Sequence, residues 1–324
     1  ELCRSFERID TRRGEESLTY FEFGTVAALE IFSRQELDLL VLEVGLGGRL
    51  DAVNVVDADV ALITTIDLDH QSWLGDSREE IGWEKAGIFR EGRPAVVGEY
   101  DPPSTVSQYA RDLGAPLFMV GCDFCFVAEE EGWSWRESNG REIYHLPKPA
   151  LSGEVQIQNS AAVLEVIHLL GWMDKIGEEK IAEGITSVRL KGRFQTISHS
   201  PDVIVDVSHN PQAARVLAQN LSSTGCSGKT IAVVAMLSDK EIKMVVEQLA
   251  SEVDRWIVGG LDVARGVSSE DMLTLVGSVV GNSAVDSFRT VESAYDAAME
   301  IADCDDRVVV FGSFYTVAAL LSLQ

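Results

Sequence analysis

Leu39-Leu40-Val41-Leu42-Glu43-Val44-Gly45-Leu46-Gly47-Gly48-Arg49-Leu50-Asp51-Ala52-Val53-Asn54 reads as an apolar run of strand length, interrupted only near its end by a carboxylate, and then a glycine-rich loop. The same grammar repeats outward from it. Strands are predicted at Leu39–Val44, Val60–Ile66, Ala95–Val97, Val203–Val207, Thr230–Ala235, Trp256–Val258 and Arg307–Phe311. Helical periodicity falls between them at Thr19–Ser33, Pro103–Leu113, Gln158–Leu170, Pro211–Leu221, Lys240–Ser251, Ser269–Val280 and Val291–Ala302. Strands alternating with helices predict an α/β protein with a mostly parallel sheet. Only Leu117–Leu146 changes rhythm: Phe124, Phe126, Trp133, Trp135 and Ile143 alternate around a Ser138-Asn139-Gly140 turn, which predicts a small antiparallel sheet. The pattern breaks again at Arg189-Leu190-Lys191-Gly192-Arg193, so the domains are placed at 1–189 and 190–324.

Composition narrows the function. The 324 residues carry 27 Lys plus Arg against 52 Asp plus Glu, a net charge of −25, which argues against nucleic-acid and anionic-membrane partners. With 46% hydrophobic residues and 8 Pro the chain can bury a large core. The five cysteines are odd in number and scattered, which fits a reducing, cytoplasmic setting. Cys122-x-x-Cys125 has metal-ligand spacing but no completing pair, and alternates with Phe124 and Phe126, so both thiols are expected in the core. Val308–Gln324 is apolar but broken by Gly312-Ser313, and reads as strand, turn and helix. The first residue is Glu, which fits a missing beginning.

Three segments carry candidate chemistry. Glu43 ends an apolar strand, where open α/β sheets bind ligands and where an unpartnered carboxylate is costly to bury; it could equally cap neighbouring N–H groups. Asp67-Leu68-Asp69-His70 loads the exit of the next strand. Were the two strands neighbours, Glu43 and His70 would reach one rim and could hold Mg²⁺ with water and phosphate. Lys85 lies on a helical stretch among apolar neighbours. Burial favours its neutral amine, which can add CO₂ to form a carbamate, although a snorkelling surface lysine has the same pattern.

Two nucleotide motifs are opposed by their spacing. Gly45-x-Gly47-Gly48 has Leu50 where a dinucleotide fingerprint needs glycine, and residues 49–59 are too few for a crossover helix. Ser223–Thr230 resembles a phosphate loop but lacks its first glycine and precedes a strand, so no P-loop occurs in these residues.

Taken together, Glu43–Asn54, Asp67–His70 with Leu74-Gly75, and Glu84-Lys85-Ala86-Gly87-Ile88 closely resemble folylpolyglutamate synthase/dihydrofolate synthase of the Mur ligase superfamily. Gly153–Asn159, Gly192-Arg193, Asp206–Pro211, Ser238-Asp239-Lys240 and Gly312–Tyr315 continue the match. The resemblance implies a P-loop NTPase-like central domain, truncated N-terminally before its P-loop, followed by a C-terminal Rossmann-like domain. It implies an ATP-dependent ligase that joins L-glutamate to dihydropteroate or folate through an acyl phosphate, acting as a monomer on small molecules.

It also implies residue roles. Glu43 and His70 ligand Mg²⁺, and Lys85 matches a carbamylated lysine near a second Mg²⁺, with His70 and Lys85 serving catalysis. Asn159, Arg193 and Asp206, with His209 adjacent, match ATP contacts across the domain cleft. Thr19, Tyr20, Phe21 and Glu22, with Leu50, Asp51 and Ala52, match the pterin-lining stretches. Simpler readings stand beside these: Thr19-x-x-Glu22 is a capping box, Asp206 terminates a strand, and Arg193 forms a linker salt bridge. Alternatives for the chain are a non-catalytic binding module and, from the glycines of 45–48, a nicotinamide oxidoreductase.

Overall fold

A computed structural model describes residues 1–138, 140 and 142–322. Asn139 of the expected turn lies outside the described residues, as do the last two residues of the C-terminal helix-forming run. The chain forms two compact units. One comprises Glu1–Cys125, Arg136–Arg141 and Ala161–Asp174; the other comprises Phe126–Trp135, Glu142–Ser160 and Lys175–Gln324.

In the first unit, α1 (Leu2–Arg13) and α2 (Tyr20–Phe32) precede β1 (Ala61–Ile63), the short α3 (Gln71–Leu74), α4 (Arg78–Ala86), β2 (Ala95–Val97), α5 (Ser104–Leu113) and β3 (Leu117–Met119). The three strands pair in parallel in the order β1-β2-β3, with Ala61 opposite Ala95 and Ala95 opposite Leu117. Ile63, Ala95 and Val97 pack with Ile81 and Ala86 of α4 and with Val106 and Ala110 of α5 in one buried core.

The expected strand at Leu39–Val44 does not form. Its backbone has no ladder partner among the described residues, and Val41 is 81% exposed. Apolar residues favour a strand only when a neighbouring edge takes up their N–H and C=O groups, and β1 pairs with β2 alone among the described strands. The next strand is also shorter than expected, because beyond Ile63 the Ile66 N–H turns to the Glu99 carboxylate at 3.0 Å.

The alternating segment forms β4 (Phe124–Ala128), β5 (Gly132–Glu137) and β6 (Glu142–Pro147), in that order in their own sheet. Connections this short admit only antiparallel neighbours. Trp133 and Trp135 are fully buried. The cysteines depart from expectation: Cys122 is exposed in the turn before β4 and Cys125 is only half-buried, so alternation with phenylalanine did not place them in the core. All five cysteines are free.

Helices α6 (Glu154–Leu169), α7 (Met173–Ile176) and α8 (Glu178–Ser187) lead to β7 (Gln195–Ser198), β8 (Asp202–Asp206), α9 (Pro211–Thr224), β9 (Thr230–Val234), α10 (Ile242–Leu249), β10 (Arg255–Gly259), α11 (Ser269–Val280), β11 (Val285–Phe288), α12 (Val291–Ile301), β12 (Arg307–Phe311) and α13 (Phe314–Leu321). The six strands of the second unit order as β11-β10-β9-β12-β8-β7, all parallel except the edge strand β7.

Alternation along these strands makes three layers. Ile204, Ala232, Val234, Val258 and Val309 face α9, α10 and α11, whereas Val205, Val233, Ile257, Val308 and Val310 face α12 and α13. No helix among the described residues is long and apolar enough to cross a membrane.

Candidate functional site

In the first unit the glycine-rich loop is seated on the end of α4. Arg49 donates its N–H to the Glu84 carbonyl at 2.8 Å, and its guanidinium pairs with the Glu84 carboxylate at 2.9 Å. Gly48 permits this approach: a Cβ there would stand 2.8 Å from both the Glu84 and Lys85 carbonyl oxygens. Asn54 closes the loop by donating from Nδ2 to the Gly87 carbonyl at 3.0 Å, and Arg90 donates to the Asn54 carbonyl at 2.6 Å. Asp51 organises the interior, accepting from Val53 N–H at 2.9 Å and from Leu46 N–H at 2.9 Å.

Neighbouring contacts join the other predicted segments to this loop. A Cβ at Gly47 would lie 2.8 Å from Leu74 of α3, and one at Gly45 would lie 2.5 Å from the Phe21 ring. Gly48→Ala is therefore expected to destabilise the first unit by about 1–3 kcal/mol, since two backbone carbonyls must yield. A lowered urea midpoint checks this; an unchanged midpoint contradicts the seating.

Glu43 is exposed and accepts no hydrogen bond among the described residues, so the capping reading is not what the structure shows. It lines a cavity of about 300 Å³ with Tyr20, Phe21, Gly24, Ala28 and Val53. Thr19 and Glu22 do form the capping box: Thr19 Oγ1 accepts from Glu22 N–H at 3.2 Å and Glu22 Oε2 accepts from Thr19 N–H at 2.7 Å. The backbone N–H and hydroxyl of Thr19 hold the exposed Glu22 carboxylate below its usual range. This leaves the rings of Tyr20 and Phe21 for the cavity. Leu50 is exposed and Ala52 begins a short 3₁₀ turn after Asp51.

His70 has left-handed backbone, φ 52°, as the residue before α3. Its N–H donates to Asp69 Oδ1 at 2.8 Å, and its Nε2 lies 3.8 Å from the same oxygen. Lys85 is displaced below the usual lysine range by burial, opposed by the charge of Asp69. The same aspartate thus adjoins both predicted catalytic side chains.

Among the described residues no group of three or more His, Cys, Asp or Glu gathers as a metal site. Glu43 lines the cavity beside α2 and His70 precedes α3, and the strand pairing expected to bring the two to one rim is not formed among the described residues.

Arg78 and Glu99 escaped sequence reasoning. Arg78 Nε donates to the Ile66 carbonyl at 3.0 Å, and its Nη2 pairs with Glu99 at 2.6 Å. They clamp the backbone just before Asp67. Burial pushes the Glu99 carboxyl up, opposed by Arg78. The available signal was a carboxylate just past the apolar Ala95–Val97 run, the logic that singled out Glu43.

In the second unit, Asp206 ends β8 nearly buried, accepting from Phe194 N–H at 2.7 Å, from Ser208 N–H at 2.8 Å and from the Ser208 hydroxyl. It therefore does terminate its strand, and by gripping Phe194 it also fixes the adjacent Arg193. Arg193 is exposed and makes no ion pair among the described residues, so the salt-bridge reading is not seen. His209 donates Nδ1–H to the Val207 carbonyl at 2.8 Å, which leaves Nε2 as a free acceptor. Its ring lies 6.4 Å from that of Phe314, placing the loops after β8 and β12 together at the carboxyl edge of the sheet. Asn159 Nδ2 donates within α6 to Gln156 at 3.4 Å.

Comparison with known proteins agrees with these motifs. Residues 192–314 match the model of the Mur ligase, glutamate ligase domain. The chain is 44% identical over 319 residues to dihydrofolate synthase/folylpolyglutamate synthase of Escherichia coli (strain K12), covering 98% of this chain and 72% of that protein. It is 39% identical to the Haemophilus influenzae protein of the same name, covering 97% and 74% respectively. Among solved structures, E. coli FolC in complex with DHPP and ADP superposes with a TM-score of 0.92 at 43% identity, covering 98% of this chain and 74% of that one. The Yersinia pestis bifunctional enzyme complexed with AMPPNP and Mn ion gives 0.91 at 43% identity, covering 99% and 75%. With this identity carried along nearly its whole length, the chain belongs to the dihydrofolate synthase/folylpolyglutamate synthase family of Mur ligases.

Proposed function

We infer that the protein is an ATP-dependent carbon–nitrogen ligase that joins L-glutamate to dihydropteroate and to folates, by way of an acyl phosphate. The observation that carries this reading is the glycine-rich loop seated on α4, which gathers Phe21, Asp51, Leu74 and Lys85 around one loop. Support comes also from relatives whose structures hold DHPP with ADP, and Mn with AMPPNP and L-glutamate.

Glu43 and His70 would hold a divalent metal, and Lys85, as its carbamate, a second. The metal supplies charge neutralisation where a triphosphate must meet a substrate carboxylate. That service matters in a chain of net charge −25, whose long-range field opposes anionic substrates. Residues 1–189 form the ATPase domain and 190–324 the glutamate-ligase domain. Arg193 offers an unpaired guanidinium to the nucleotide, His209 Nε2 a hydrogen-bond acceptor, Asn159 an amide, and Asp206 holds the loop that presents Arg193. Tyr20, Phe21 and Leu50 present apolar surface to the pterin, with Thr19, Glu22, Asp51 and Ala52 shaping its walls. The enzyme works as a cytoplasmic monomer.

The reading is tested by ADP release from the enzyme. Release should require L-glutamate and either dihydropteroate or a folate; ADP formation independent of both contradicts it. The Lys85 assignment has its own test. Because burial lowers its pKa, the neutral amine forms at lower pH than in an exposed lysine, and ¹³C-bicarbonate should give one carbamate resonance that disappears in Lys85→Arg. A resonance that survives the substitution overturns it.

A further inference from the structure

Against a whole-chain charge of −25, one cavity of the first unit is lined by arginines. Arg8, Arg12 and Arg13 of α1 and Arg34 beyond α2 line a cavity of about 320 Å³, with Glu30 as the acid among them. Arg13 is neutralised by Asp10 at 2.5 Å. Arg8 and Arg34 share the single Glu30 carboxylate, at 2.9 and 2.5 Å. Neither Glu30 oxygen is aligned for a hydrogen bond, and the buried Arg8 Nε–H has no aligned acceptor. Arg12 makes no ion pair or hydrogen bond among the described residues. Four guanidiniums against two carboxylates leave two net positive charges and an unused set of N–H donors, in a molecule of net charge −25.

This cavity lies on the opposite face of α2 from the one that contains Glu43. The first is lined by Tyr20, Gly24 and Ala28 with their neighbours, the second by Val26 and Glu30, which helical periodicity sets roughly half a turn away. The two cavities are therefore separated by about one helix diameter, ~10 Å.

We propose that the arginine-lined cavity binds the γ-linked glutamyl tail of the folate, gripping its free α-carboxylates. This rests on the ligase reading above, because only that reaction gives the ligand a tail. Spacing favours the γ linkage. Arg8 and Arg12 are an i, i+4 pair, about 5–6 Å apart at Cβ. A γ-glutamyl repeat contains five backbone bonds and spans roughly 6 Å, which matches the Cβ spacing of Arg8 and Arg12, whereas an α-linked repeat spans only about 3.5 Å. Arginine presents a planar fork suited to carboxylate. A tail held here would keep an elongating product on the enzyme between additions.

The test is fluorescence anisotropy of labelled γ-tetraglutamate with the 324-residue chain. Saturable binding is expected that weakens with salt, weakens roughly tenfold in Arg12→Glu and less in Arg12→Gln. Arg12 is exposed, so circular dichroism should show both variants folded. Unlabelled γ-tetraglutamate should compete better than α-linked tetraglutamate or tripolyphosphate. No saturable binding, no effect of either substitution, or equal competition by the α-linked peptide or tripolyphosphate overturns the proposal. Glutamate-dependent ADP release is measured separately, so an active ligase that ignores the tail sinks this inference alone.

Discussion

Glu43→Ala is expected to lower glutamate-dependent ADP release by about 10²–10³-fold, with thermal stability unchanged within about 0.5 kcal/mol. The separation of the two effects follows from the structure. Glu43 is exposed and accepts no hydrogen bond among the described residues, so its removal leaves no buried donor unsatisfied and no cavity behind. On the function proposed above, what is lost is one anionic oxygen ligand where an ATP phosphate and a substrate carboxylate would be brought together. Losing a positioned charge there costs about 3–4 kcal/mol of transition-state stabilisation. Glu43→Gln, which keeps the shape but not the charge, should fall nearly as far. His70→Ala should show a comparable loss. Wild-type rates in Glu43→Ala would remove it from the metal site.

Glu165→Gln should make the protein more stable above neutral pH and leave it unchanged in acid. Glu165 sits on α6, fully buried, with neither carboxylate oxygen hydrogen-bonded among the described residues. Burial first, then the charges of Glu137 and Asp123, push its carboxyl from 4.5 up to about 7. His168, 3.6 Å from Glu137, faces the same cluster.

The folded state therefore prefers the protonated acid, whereas the unfolded chain ionises near 4.5. Below that value both states are protonated and the residue costs nothing through ionisation. Between 4.5 and about 7 the penalty grows, and above 7 it is complete, about 3 kcal/mol for a shift of this size. Gln mimics the protonated acid at every pH. Thermal melts of the two proteins should coincide near pH 4 and diverge to a higher Tm for Glu165→Gln by pH 8.5. Parallel curves across that range would show that Glu165 does not titrate as argued.

How far the sequence carried the fold depended on whether information was local. β2, β12 and α11 were legible to the residue, because an apolar run or a capped amphipathic helix between turns needs no distant partner to be recognised. Leu39–Val44 shows the limit: its residues have strand propensity, but a strand exists only with a partner edge, and that is a property of the chain elsewhere. The edge strands β7 and β11 are short and mixed in polarity, so they carried little signal. Helix α1, LCRSFERIDTRR, was missed because so many charges mask its spacing, although Ser5 and Ile9 bury one face.

The site divides similarly. Glu43, His70 and Lys85, the proposed metal-binding residues, stand out in the sequence as polar groups where apolar patterns end. Gly48 was visible as part of a loop, but its use, the close approach to the Glu84 and Lys85 carbonyls, was not. Arg78 and Glu99 act on the Ile66 backbone from 12 and 33 residues away, a relation no window of sequence contains.

The most direct measurement is the anomalous diffraction of Mn²⁺ in crystals of the full-length enzyme with a non-hydrolysable ATP analogue. The expected result is a metal peak held by both a Glu43 carboxylate oxygen and a His70 ring nitrogen. A peak coordinated by neither side chain, or by one with the other turned to a separate region, would contradict it.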